Sequence, residues 1–251
     1  MAKKAIVMGA TSGIGMEVAL CLASRGWTVG IAGRRTGRLE ALRQRMPHAI
    51  ICRQRIDVTQ SEAPAQLEQL IAELGGMDLY FHSSGIGWQN EMLRADKEVS
   101  TVETNVVGFT RLVDAAFAWF ASHSQRGHIA CITSIAGTKG LGAAPAYSAS
   151  KRFQSHYLES LSQLARMRHL PIRVSDIRPG FVKTDLIAGG HYPMQLDAGK
   201  VADEIVRSIE NGREVTIVDF RYRLFVALWR LIPRWLWVRL KITTSDEKGK
   251  E

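Results

Sequence analysis

Short apolar runs alternate along the chain with longer segments whose apolar residues recur every three or four positions. The first run, Ala5 to Met8, ends at Gly9; Ile14, Val18, Leu22 and Ala23 then mark one face of a helix from Gly13 to Arg25. The same alternation predicts further strands from Thr28 to Ala32, Ala49 to Ile56, Leu79 to His82, His128 to Thr133, Ile172 to Ile177 and Val215 to Val218. Between them it predicts helices from Gly37 to Met46, Ser61 to Leu74, Asp96 to Ser122, Ala146 to Arg168 and Ala198 to Ile209.

Strands separated by helices of this length need crossover connections, which are right-handed and cover both faces of a parallel sheet. The expected fold class is therefore α/β: a single Rossmann-like, doubly wound parallel sheet of about seven strands with helices on both faces. Ligands of such sheets bind beyond the carboxyl ends of the strands, so the chemistry is sought in the segments that follow each strand.

Composition narrows the class. With 251 residues, 46% hydrophobic and 23% charged, the chain can bury the core of one domain, which excludes disorder or fibrous repeats as its main architecture. Cys21, Cys52 and Cys131 are too widely spaced for a metal site or a disulfide framework, so no metal and a reducing, cytoplasmic compartment are expected. No signal peptide is read at the start, and no apolar run is long enough to span a membrane. The organisation expected is a dinucleotide-binding and catalytic domain over 1–220, a basic amphipathic extension over 221–244 and a flexible tail over 245–251.

Between the first strand and helix lies Gly9-Ala10-Thr11-Ser12-Gly13-Ile14-Gly15. Glycines let the backbone approach a phosphate, and a helix N-terminus offers free N–H groups to it. The second strand ends at Arg34 and Arg35 with no carboxylate before Glu40, which favours NADP(H), since an arginine suits a 2′-phosphate and an acid a 2′-hydroxyl. A solvated loop would also account for these arginines. Asp57, followed by Val58, could meet an adenine amino group or cap the turn after the third strand.

Tyr147 and Lys151 stand four residues apart on one helical face, where an ammonium would lower the pKa of a phenol toward the working range of a proton donor. Ser134 follows the fifth strand, and Asn105 lies in the long preceding helix. Taken in order, Gly9-x-x-x-Gly13-x-Gly15, Asn105, Ser134 and Tyr147-x-x-x-Lys151 resemble the short-chain dehydrogenase/reductase family. The resemblance covers roughly residues 4 to 218. It implies that Tyr147 protonates the developing alkoxide, Ser134 hydrogen-bonds the substrate carbonyl, and Lys151 binds the nicotinamide ribose. It gives Asn105 a water linking Lys151 to solvent, and it brings Ser84, Gly85, Pro179, Gly180, Val182 and Thr184 to the cofactor. The chain departs from the family in reading His82-Ser83-Ser84-Gly85 where Asn-Asn-Ala-Gly is usual, and in having Met8 before the first glycine. His82 and His128 fit buried, hydrogen-bonded positions better than catalytic ones. Trp88, His191, Tyr192 and Met194 are candidates to line the substrate pocket.

The implied activity is NADPH-dependent reduction of a ketone or aldehyde, with an apolar, lipid-like substrate such as a 3-keto sphingoid base or acyl chain. The rival readings are NAD(P)-dependent oxidation of a secondary alcohol and a dinucleotide-binding sensor without turnover. The expected partners are a small-molecule carbonyl or alcohol and further copies of the chain, as a homodimer or homotetramer.

The stretch from Arg221 to Lys241 holds three of the six tryptophans and six cationic residues, with no acid between Asp219 and Asp246. Pro233 divides it into two short amphipathic helices, which could lie in a lipid headgroup layer or pack on protein and roof the substrate pocket. The chain's net charge is +9, and without these six cations only +3 remains, so no second basic stripe supports nucleic-acid binding.

Overall fold

The computed structural model describes residues 2–123, 126–185, 192 and 194–242. Seven strands, β1 (Lys4–Met8), β2 (Thr28–Gly33), β3 (Ile50–Arg55), β4 (Leu79–His82), β5 (Gly127–Ile132), β6 (Ile172–Arg178) and β7 (Val215–Ile217), form a wholly parallel sheet among the described residues. Their spatial order is β3-β2-β1-β4-β5-β6-β7, so the winding reverses between β1 and β4, and a crevice opens beyond their carboxyl ends.

Side chains of a strand point alternately to the two faces. In β1, Ala5 and Val7 join a core with α1 (Gly13–Ser24), α2 (Thr36–Arg45) and α7 (Ala198–Glu210). Ile6 and Met8 join the opposite core with α3 (Ala63–Leu74), α5 (Phe109–Ser122) and α6 (Pro145–Met167). The central strands β1, β2 and β4 are buried on both faces, which is why they read as short apolar runs in the sequence, whereas the edge strands β3 and β7 are partly exposed.

The expected single helix from Asp96 to Ser122 is interrupted. It comprises α4 (Ala95–Val102), a π-helical turn over Glu103–Gly108, and α5. The wider turn falls where the backbone must serve something other than its own ladder: Asn105 lies within it, and its carbonyl accepts a hydrogen bond from Gln154. After β7, α8 (Phe220–Leu231) and α9 (Arg234–Trp237) are the two short helices expected around Pro233. Tyr222, Val226 and Trp229 of α8 are buried within the first core. The expected flexible tail over 245–251, and His191, lie outside the described residues.

Candidate active site

The glycine turn is built by close backbone packing. Gly9 has φ +86°, and a Cβ there would sit 2.6 Å from the Ser84 amide nitrogen; a Cβ on Gly15 would enter the Gly9 carbonyl. Gly9 and Ala10 both donate to the Ala32 carbonyl, at 2.9 and 3.0 Å, which ties the turn to β2. Among the described residues no side chain caps the first turn of α1. Its free amides and the narrow, Cβ-free cradle suit a phosphate.

Arg35 reaches back over this turn, donating from Nε and Nη2 to Thr11 Oγ1 at 3.1 and 2.7 Å and from Nη2 to Ser12 Oγ at 2.6 Å. Asp185 lies 3.6 Å from Arg35 and 3.0 Å from Arg38, so an ion-pair cluster bridges β2's end and the segment after Thr184. Arg34 is exposed beside it. Asp57 Oδ1 accepts from the Thr59 amide and hydroxyl at 3.1 and 2.9 Å, the turn-capping alternative, while the residue also lines the cleft.

Ser134, Tyr147 and Lys151 meet at the crevice. Ser134 follows β5 and caps a short 3₁₀ turn, its Oγ accepting from the Ala136 amide at 3.1 Å and pairing with the Tyr147 hydroxyl. The Tyr147 ring packs against Gly87, where a Cβ would overlap it. The phenol's pKa is raised, burial outweighing the Ser134 hydrogen bond, which acts in the opposite direction. This departs from the expected lowering, because Lys151 Nζ stands 5.8 Å from the ring centroid and aims elsewhere. It donates to the Ile132 carbonyl at 3.1 Å and to Gln154 Oε1 at 2.9 Å. Burial brings Lys151 itself down to about 8, against the opposing pull of Cys131 and Asp176.

Asn105 spends its side chain on the backbone of Ile86, accepting from the amide at 2.9 Å and donating to the carbonyl at 2.7 Å, with Ser150 Oγ at 3.1 Å. It thereby fixes the strand-end loop that carries Gly85 and Gly87. Gln154 was not foreseen. One turn beyond Lys151 and fully buried, it accepts from the ammonium and donates from Nε2 to the Asn105 carbonyl at 2.8 Å, bridging the two residues directly. Its i+3 spacing from Lys151 was readable, but its partner 49 residues away was not.

Tyr222 was missed for the same reason. Its ring fills the space beside Gly180, and its hydroxyl accepts from the Phe181 amide at 3.1 Å and donates to the Met194 carbonyl at 3.0 Å. The tail thus fastens the Pro179–Thr184 segment. His82 and His128 are held by Tyr80 and Ser175, at 2.9 and 2.7 Å, and burial lowers them to about 3 and about 4.

The glycine turn, Arg35, Asp57, Ser134, Tyr147, Lys151 and Tyr222 border one cavity of about 1240 Å³, larger than the roughly 300–1,000 Å³ of a pocket for one small ligand. Its polar end holds the glycine turn, Arg35, Ser84, Val58, Val182 and Thr184; Trp88 and Tyr192 line its side. Its far end is walled by Phe225, Leu228, Trp229, Ile232, Trp237 and Leu240. A dinucleotide fits the first part by its cradle and donors, leaving an apolar chamber over Tyr147.

The family model described as short chain dehydrogenase matches residues 3–190. The chain is 38% identical over 197 residues to an uncharacterised oxidoreductase of Myxococcus xanthus, covering 76% of this chain and 77% of that one. It is 32% identical over 215 residues to a farnesol dehydrogenase of Aedes aegypti, covering 78% and 85%. A Burkholderia phymatum short chain dehydrogenase/reductase in complex with NAD superposes with a TM-score of 0.81 at 21% identity, covering 90% of this chain and 92% of that one. Actinorhodin polyketide ketoreductase with NADPH superposes at 0.75 and 24% identity, covering 86% and 95%. The neighbours hold NAD in one case and NADPH in the other.

Proposed function

The chain belongs to the short-chain dehydrogenase family and is an oxidoreductase; from that premise we propose that it reduces an apolar ketone or aldehyde to the alcohol with NADPH. The observation that carries the reading is the Ser134–Tyr147 pair set between a phosphate-binding cradle and an aromatic, aliphatic chamber. The dinucleotide supplies a hydride to the carbonyl carbon when bound. Gly9, Thr11, Ser12, Gly13, Ile14 and Gly15 hold its diphosphate, and Arg34 and Arg35 its 2′-phosphate. Asp57, Val58, Ser84 and Gly85 flank the adenosine and ribose, while Pro179, Gly180, Val182 and Thr184 flank the nicotinamide.

Ser134 Oγ holds the carbonyl oxygen, and the Tyr147 hydroxyl gives it a proton as charge develops there. A phenol with a raised pKa keeps its proton at neutral pH, which suits a donor in the reductive direction. Lys151 holds the ribose and stands as a nearby positive charge; Asn105 and Gln154 fix it. The name of the farnesol dehydrogenase supports an apolar substrate. Exposed Val99, Val102, Val107 and Phe153 on α4, the π turn and α6 support self-association through these helices.

The test is a screen of carbonyl compounds followed by NADPH absorbance. Long-chain or isoprenoid ketones and aldehydes are expected to turn over with lower KM than short polar ones, and NADPH to bind more tightly than NADH. A preference for NADH, or for polar carbonyls, would overturn the corresponding half of the reading.

A further inference from the structure

α8 carries two apolar stripes where one would satisfy the fold. Tyr222, Val226 and Trp229 recur at helical spacing and are buried in the core. Phe220, Leu224 and Leu231 lie on the opposite face at about 100° per residue, and they are 67%, 63% and 77% exposed. Arg223 and Arg230, a heptad apart, border this outer stripe. The surface continues past Pro233 into Trp235 and Val238, exposed at 63% and 64%, with Arg234, Arg239 and Lys241 beside them. From Phe220 to Ile242 there are six cations and no carboxylate. Only Arg221 has an ion-pair partner among the described residues, Asp219.

A helix that is apolar on both faces needs a second apolar environment. A second copy of the chain fits poorly, because a symmetric interface would set these cations against themselves. An anionic bilayer fits on both counts: it accepts apolar side chains to a shallow depth and attracts the flanking arginines. The segment cannot cross the bilayer, since its longest uncharged run is Leu224 to Trp229. The same helices and the turn between them wall the apolar chamber from inside through Phe225, Trp229, Ile232 and Trp237.

We infer that α8 and α9 dock this protein on an anionic lipid surface, so that the apolar chamber over Tyr147 is roofed at the bilayer and takes its substrate from the lipid phase. The docking stands on the outer surface alone. The route for the substrate rests on the reductase reading.

The full chain is mixed with vesicles of phosphatidylcholine alone or of phosphatidylcholine with phosphatidylglycerol, and bound protein is sedimented at low and high salt. Binding is expected on the anionic vesicles, weakened by salt and at least about tenfold lower in Leu224→Glu and Leu231→Glu, each of which replaces a lipid-buried leucine by a charge. Both positions face outward, and circular dichroism and NADPH binding of the variants should match the parent. Equal binding to neutral and anionic vesicles, no binding, or binding indifferent to both substitutions overturns the inference. So does a parent dimer that these substitutions convert to monomer, which would mean that a second copy covers the stripe. Turnover of medium-chain apolar ketones and aldehydes, kept below their solubility limits without vesicles, is assayed in parallel. Its absence with vesicle binding intact would reject the reductase reading and leave the docking standing.

Discussion

In the proposed mechanism Gln154 and Tyr147 act on different protons, and their substitutions should separate accordingly. Tyr147→Phe is expected to lower turnover by roughly 10²- to 10⁴-fold, the usual worth of a positioned acid, with NADPH binding retained in fluorescence titration. Gln154 works through Lys151, whose ammonium is lost near pH 8, so kcat/KM for reduction should fall as pH rises through that value. Gln154→Leu removes an acceptor that favours the charged amine and should move this limb down by about one pH unit, a charged hydrogen bond being worth about 1.5–3 kcal/mol. Gln154→Glu places a carboxylate there and should move it up. A merely structural role predicts no such opposed shifts, so limbs that stay fixed in both variants would refute the assignment. That Tyr147, Lys151 and Ser134 meet at one cavity was legible from their residue types and spacing. Gln154 was not, because an amide on a buried helical face reads as any other polar residue until its two partners are known.

At the level of elements, the informative joint is between α8 and the loop after β6. Tyr222 satisfies one amide and one carbonyl of that loop, and its ring occupies the space that Gly180 leaves open. Tyr222→Phe keeps the ring and removes the hydroxyl, leaving both groups short of a partner at about 1–3 kcal/mol. A lower melting temperature, by about 2–4 °C per kcal/mol for a chain of this size, is expected together with severalfold weaker NADPH binding. Unchanged binding would mean that the tail does not fasten the loop. The boundaries of the strands were readable to within a residue or two, since burial on both faces gives the central strands short apolar runs and helices of regular spacing bracket the edge strands. The break at Glu103–Gly108 was not readable. Helical periodicity continues through a π turn, and the hydrogen bond accepted there by the Asn105 carbonyl comes from another helix.

For the molecule as a whole, acid stability should be governed first by His82 and His128. His82 is buried and His128 half-buried, and both are lowered, to about 3 and about 4, against about 6.5 for an unconstrained imidazole. Below pH 6 the unfolded chain takes up these two protons and the folded chain does not. Unfolding free energy from urea titration should therefore drop by roughly 1.4 kcal/mol per pH unit for each histidine between pH 6 and 5, above the range where carboxylates titrate. His128→Gln should approximately halve that slope, and an unaltered slope would show that His128 takes up no less charge folded than unfolded. By itself the sequence determined the α/β layering, the glycine turn, the order of the reactive residues and the basic, tryptophan-rich tail, because periodicity and motif spacing are local properties of a chain. Tertiary structure alone decided that Lys151 leans on Gln154 and leaves the phenol raised, that Arg35 folds over Thr11 and Ser12, and that α8 is core on one side and bare on the other. Those outcomes depend on which distant groups are brought within hydrogen-bonding reach and on how much water is removed around them, and neither is written in neighbouring residues.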